Sequence, residues 1–152
     1  MRLRAPRHIA INPDDSRARF VGTTRDGRQF FAVECGTGDA QPRQHTEFRA
    51  LYLFDAQGAL VEARIEEVSA RSGDGEAIVA LEKMVAQLGY VTIERIKVRP
   101  FAVERFGLQF GLVVERPTRQ ERARGEEWLW VSLQPGDLMA FQAPFDSGEY
   151  DT

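Results

Sequence analysis

Turn signals recur along this chain at hairpin spacing, and they commit most of it to antiparallel strands. Asp26-Gly27 separates an alternating stretch at 17–24 from another at 29–34 that holds Phe30, Phe31 and Val33. The tight turn that matches the twist of two paired strands needs positive φ at both central residues, which Asp-Gly accepts readily. Asp55-Ala56-Gln57-Gly58 plays the same part between 48–54 and 60–68, and Gly107 does so between 98–104 and 108–115. The near-continuous apolar run at 48–54 predicts an interior strand. Further strands are expected at 90–97, at 128–133 and, after the turn Gln134-Pro135-Gly136-Asp137, at 138–141. Gly111 sits inside the 108–115 strand, which predicts a bulge or the close approach of another group.

One segment breaks the pattern. Ala77, Ile78, Leu81, Met84, Val85 and Leu88 fall on a single face at 3.6 residues per turn, with Glu82, Lys83 and Gln87 on the other. Ser72 or Asp74 suits the N-cap, and Gly89 suits the left-handed residue after the last turn. The expected fold is therefore α+β: an antiparallel, hairpin-rich sheet with one amphipathic helix, about 74–88, packed on one face. Residues 1–16 read as an irregular lead-in and 17–152 as a single α+β domain. A length of 152 residues fits that reading. The charged stretch from Arg116 to Glu127 is expected as a surface loop.

Several function classes find no support in the residues. Net charge is −3, with 20 basic against 23 acidic residues, which argues against a nucleic-acid binder. Only Lys83 and Lys97 are lysines, and the arginines are scattered along the chain. No apolar stretch approaches the roughly 18 residues of a membrane span. The basic start, Met1 to His8, is followed by only Ile9-Ala10-Ile11 before Asn12-Pro13-Asp14-Asp15, so no export signal is read and a cytoplasmic location is expected. The single cysteine, Cys35, leaves no internal disulfide and no Cys-rich metal site. His8 and His45 are not at metal-ligand spacing. No serine lies in a nucleophile elbow, and Gly36-Thr37-Gly38-Asp39 lacks the third glycine and the helix of a dinucleotide loop. No catalytic residue, metal or cofactor is expected.

Carboxylates are the abundant functional group. Asp14-Asp15, Glu66-Glu67 and Glu126-Glu127 read as solvated surface. The tail differs, because Asp146, Glu149 and Asp151 alternate with Phe145 and Tyr150. Termini normally fray. Aromatics among acids point instead to a segment docked on its own sheet, acids toward arginines, or offered to a partner. Trp128 and Trp130, two apart in an expected strand, would share a face, as core or as a binding hot spot.

Asp26 to Phe30, Leu51 to Gly58, Phe106 to Val113, Pro135 to Leu138 and above all Pro144-Phe145-Asp146-Ser147-Gly148-Glu149-Tyr150-Asp151-Thr152 resemble small bacterial proteins of the formate hydrogenlyase regulatory (HycA-like) family. Many of these end Pro-Trp-Asp-Gly-Glu-Tyr-Asp-Thr; here Phe145 replaces the Trp and Ser147 is inserted before the Gly. The resemblance implies a cytoplasmic regulator that works by protein contact. The expected function is thus a non-enzymatic regulatory or inhibitory protein with a protein partner. Its candidate contact residues are Trp128, Trp130, Phe145, Asp146, Glu149, Tyr150 and Asp151. An immunity-type protein that neutralises a toxin is the alternative, and an enzyme using carboxylates, with or without a metal, is the more distant one.

Overall fold

The computed structural model describes residues 3–37, 46–68 and 74–152. Its largest sheet has five antiparallel strands in the order β5 (Leu60–Val68), β4 (Glu47–Phe54), β3 (Gln29–Gly36), β2 (Phe20–Thr24) and β6 (Val91–Ile93). A four-stranded sheet follows the order β11 (Ala140–Phe141), β10 (Trp130–Gln134), β9 (Leu108–Glu115) and β8 (Phe101–Arg105). A two-stranded ribbon joins β1 (Ile9–Ile11) to β7 (Ile96–Val98). The fold class is α+β, as expected, with the strands divided among these sheets.

The five-stranded sheet is covered on both faces, and its middle strands show why they are apolar nearly throughout. Successive strand residues point to opposite faces. Phe31, Val33 and Cys35 of β3 and Phe48, Ala50, Tyr52 and Phe54 of β4 join the main core with Phe110, Leu112, Val131 and Leu133 of the second sheet. The alternate residues Phe30, Ala32, Leu51 and Leu53 meet Leu81, Met84 and Val85 of helix α1 (Asp74–Ala86). The layers are therefore helix, five-stranded sheet, four-stranded sheet. The helix N-cap candidate Ser72 and the segment 38–45, with His45, lie outside the described residues.

Gly111 meets its expectation. It lies at φ 135°, and an added Cβ would collide with the Phe101 carbonyl of the neighbouring strand β8. The charged stretch at 116–127 carries a short helix, α2 (Arg119–Ala123), opened by a reciprocal cap between Thr118 and Glu121.

Three local readings are corrected. Residues 1–16 are not an irregular lead-in throughout: Ile9, Ala10 and Ile11 form β1 and are at most 1% exposed. The strand expected over 90–97 is two strands. β6 pairs with β2, then the chain leaves that sheet and β7 pairs with β1. Trp128 is not in a strand, since β10 begins at Trp130.

Candidate functional site

The tail from Pro144 to Thr152 is fastened along its length. At one end Asp151 and Ala140 exchange backbone hydrogen bonds of 2.9 and 2.8 Å. Further in, the Ala10 N–H donates to the Phe145 carbonyl at 2.9 Å, so β1 has β7 on one edge and the tail on the other. The Asn12 side chain donates to the Ser147 carbonyl at 3.2 Å, and the Arg95 guanidinium donates to the Asp146 carbonyl and to Asn12 Oδ1. Gly148 turns at φ 82°, where a Cβ would strike the Asn12 side chain. Glycine answers both demands at once, since it tolerates positive φ and leaves room for the neighbour.

Phe145 and Tyr150 are the anchors. Both are half-buried against the main core, and the Tyr150 ring lies 5.7 Å from that of Phe141. The Tyr150 hydroxyl donates to Asp14 Oδ2 at 2.5 Å. Asp14 Oδ1 accepts the N–H groups of Ser16 and Ala18 at 2.8 and 3.0 Å, which fixes the carboxylate that receives the phenol. Partial burial and then the Asp14 carboxylate push the Tyr150 phenol above its ordinary value, since both disfavour a phenolate.

The carboxylates behave differently from the aromatics. Asp146, Glu149 and Asp151 are exposed. Asp151 Oδ2 accepts from the Gln142 side chain at 3.3 Å. The expectation that tail acids meet arginines is corrected here: Arg95 reaches the tail through the Asp146 carbonyl, not its carboxylate. Between the tail and residues 12–16 runs an open cleft of about 750 Å³, bordered by Asp14, Ser16, Gln142, Glu149, Tyr150 and Asp151. Phe145 and Asp146 lie outside its lining. Among the described residues no three His, Cys, Asp or Glu side chains gather as a metal ion would need.

The two tryptophans stand apart from this site. Trp128 and Trp130 are half-buried. Trp128 borders a smaller cleft of about 310 Å³ with Leu3, Arg116, Pro117 and Arg122, and that cleft shares no residue with the one beside the tail. His8 bonds the Gln57 carbonyl at 2.9 Å. Cys35 is 3% exposed, and burial, helped by Glu34, pushes its thiol up to about 12, so it is held as the unreactive thiol. The Tyr52 hydroxyl in the same core is buried without a hydrogen-bond partner among the described residues, and burial first and Cys35 second push it well above an ordinary phenol.

Asn12, Asp14 and Arg95 complete the site; the sequence marks neither Asn12 nor Arg95, and Asp14 reads there only as solvated surface beside Asp15. Asp14 carried one usable signal: an Asp two residues before a Ser fits a local side-chain-to-backbone turn, which is how its Oδ1 is used. Comparison with protein-family models, with curated proteins and with solved structures finds no match. Among the described residues no helix is long and apolar enough to cross a membrane.

Proposed function

We propose that this protein is a non-enzymatic cytoplasmic regulator or inhibitor that binds another protein through the face built by its tail. One observation carries the reading. The tail backbone is tied down by hydrogen bonds from β1, Asn12, Arg95 and Ala140, while Asp146, Glu149 and Asp151 remain exposed. A surface already ordered in the free protein loses little freedom on binding. Exposed carboxylates on such a surface steer and orient a basic partner. The likeness of the tail to the HycA-like family points the same way, toward a bacterial regulator acting by contact. Trp128, on a separate cleft, and Trp130, in β10, belong to this proposal as a second contact.

The test is affinity capture with the intact chain and with the Asp146→Asn/Glu149→Gln/Asp151→Asn variant, each at low and high salt. A partner that docks on this face is recovered by the intact chain, is released by salt, and is missing from the neutralised variant. Equal recovery by a folded neutralised variant would remove the tail face from the reading. The partner's own activity then separates the roles: a toxin neutralised on binding makes this an immunity-type protein, and any other controlled target makes it a regulator.

A further inference from the structure

The second unfinished surface is a backbone edge. Strand β5 closes one side of the five-stranded sheet, and among the described residues nothing pairs with its outer side. It runs for nine residues, whereas the edge strands β6, β8 and β11 have three, five and two. Native proteins rarely leave a long edge unpaired without covering it or placing charges on it.

The direction of each β5 backbone group follows from the ladder. Thr24 N–H donates to the Arg28 carbonyl and Thr37 N–H to the Thr46 carbonyl, so the odd residues of β3 bond to the even residues of β4. Hydrogen-bonded pairs alternate along an antiparallel ladder. The odd residues of β4 therefore bond to Glu62, Arg64, Glu66 and Val68 of β5. Ala63, Ile65 and Glu67 are left with N–H and carbonyl groups directed away from the sheet.

The side chains of β5 complement a second copy of themselves most fully in one register. A two-fold axis through Ala63 sets Val61 opposite Ile65 and Glu62 opposite Arg64, each twice. The smallest side chain of the strand then sits on the axis. Val61 is 58% exposed in the free chain and gains an apolar neighbour. Glu62 already pairs with Arg64 in its own strand, so the four charges alternate in sign. An axis through Arg64 would instead oppose Arg64 to itself and Glu62 to Glu66. An axis through Ile65 would pair Arg64 with Glu66, but it would leave Glu62 opposite Val68 and set Ala63 opposite Glu67. Directly opposed unlike charges stabilise an antiparallel pair and like charges destabilise it.

We propose that β5 is a homodimer interface, in which two β5 strands pair antiparallel about Ala63 and join two five-stranded sheets into one. This isologous contact uses a surface distinct from the tail and is independent of the function proposed above.

Sedimentation velocity on the full chain over a concentration series tests it. The expected result is a reversible dimer. Arg64→Glu and Glu62→Arg should each weaken it by about tenfold or more, and the double swap Glu62→Arg/Arg64→Glu should restore it to within about threefold. Ala63→Pro removes the outward N–H at the axis while the β4 ladder keeps its bonds, which an edge strand tolerates; it should leave a folded monomer. A wild-type chain that stays monomeric throughout would overturn the proposal and make Glu62 and Arg64 guards of the edge. A dimer indifferent to the single reversals, or not restored by the swap, would overturn it as well.

Discussion

Near its two ends the chain contributes segments that touch each other and are held in opposite ways. β1 is three residues long and wholly inside, with Ile9 and Ile11 at 0% exposure. The tail is nine residues long and stays at the surface, with only Phe145 and Tyr150 entering the core and both remaining half-buried. β1 is held by burial and by a strand partner. The tail is held chiefly by hydrogen bonds, many of them to β1 and the residues just after it. The dependence is therefore one-sided: the tail needs β1 for its position, while β1 keeps β7 and the core if the tail leaves.

The largest expected effect follows from that asymmetry. Ile11→Ala should cost about 2–5 kcal/mol of unfolding free energy, as for other fully buried aliphatic truncations. Denaturant titration gives the cost. Cys35 supplies a second readout, since it lies in the same core as Ile11 and its protonated, buried thiol is unreactive in the closed protein. Ile11→Ala should raise the rate of Cys35 alkylation together with the population of open molecules. If alkylation accelerates equally in a tail variant of small stability cost, the one-sided dependence is wrong.

Phe145→Ala comes next, at about 1–3 kcal/mol. That is below the 3–5 kcal/mol typical of a fully buried Phe, because this ring is only half-covered. A loss as large as that of Ile11→Ala would make the tail a core element and erase the distinction between the two segments.

How much of this was legible in the sequence depends on whether a segment declares itself locally. The limits of strands β5 and β9 are legible in the sequence, where Asp55 to Gly58 and Gly107 mark their starts. Helix α1 was readable from the spacing of its apolar residues. The tail anchors were visible as aromatics among acids. β1 was not, since three apolar residues between His8 and Asn12 are too few to show a period, and its partners β7 and Phe145 are more than 80 residues away. The break at Glu94-Arg95 was hidden for a similar reason. Both halves of 90–97 look like strand, and only pairing with β2 and with β1 tells them apart. Asp14 and Arg95 were lost among other surface charges, because nothing local marks which charge will meet a distant backbone.

Tyr150→Phe removes a single oxygen, and its effect should be about 1 kcal/mol, the scale of one hydrogen bond in a partly exposed site. Its pH dependence has a definite sign. The folded phenol titrates above the ordinary value, so the folded state favours the protonated form. That contribution is complete below the unfolded phenol pKa of about 10 and is lost as pH rises through the folded value. The wild type should therefore lose stability to alkali more steeply than Tyr150→Phe in that window. Parallel alkaline limbs in the two proteins would show that the Asp14 contact does not hold the tail.

The smallest effect on stability is also the one that bears on function. Neutralising Asp146, Glu149 and Asp151 together should change unfolding free energy by no more than about 0.5 kcal/mol, as for surface groups that support nothing beneath them. The hydrogen bonds that fix the tail are made by its carbonyls, the Asp151 N–H and the Tyr150 hydroxyl, not by these carboxylates, the Gln142 contact of Asp151 excepted. A chain could hold its tail in place with acids folded inward onto arginines; this one uses backbone groups for attachment and leaves the charges outside. If the neutralised protein melts as the wild type does and yet loses its partner, attachment and recognition are separate properties of the same nine residues. If it loses stability by as much as Phe145→Ala, the acids are structural, and the tail is a fastening rather than a docking face.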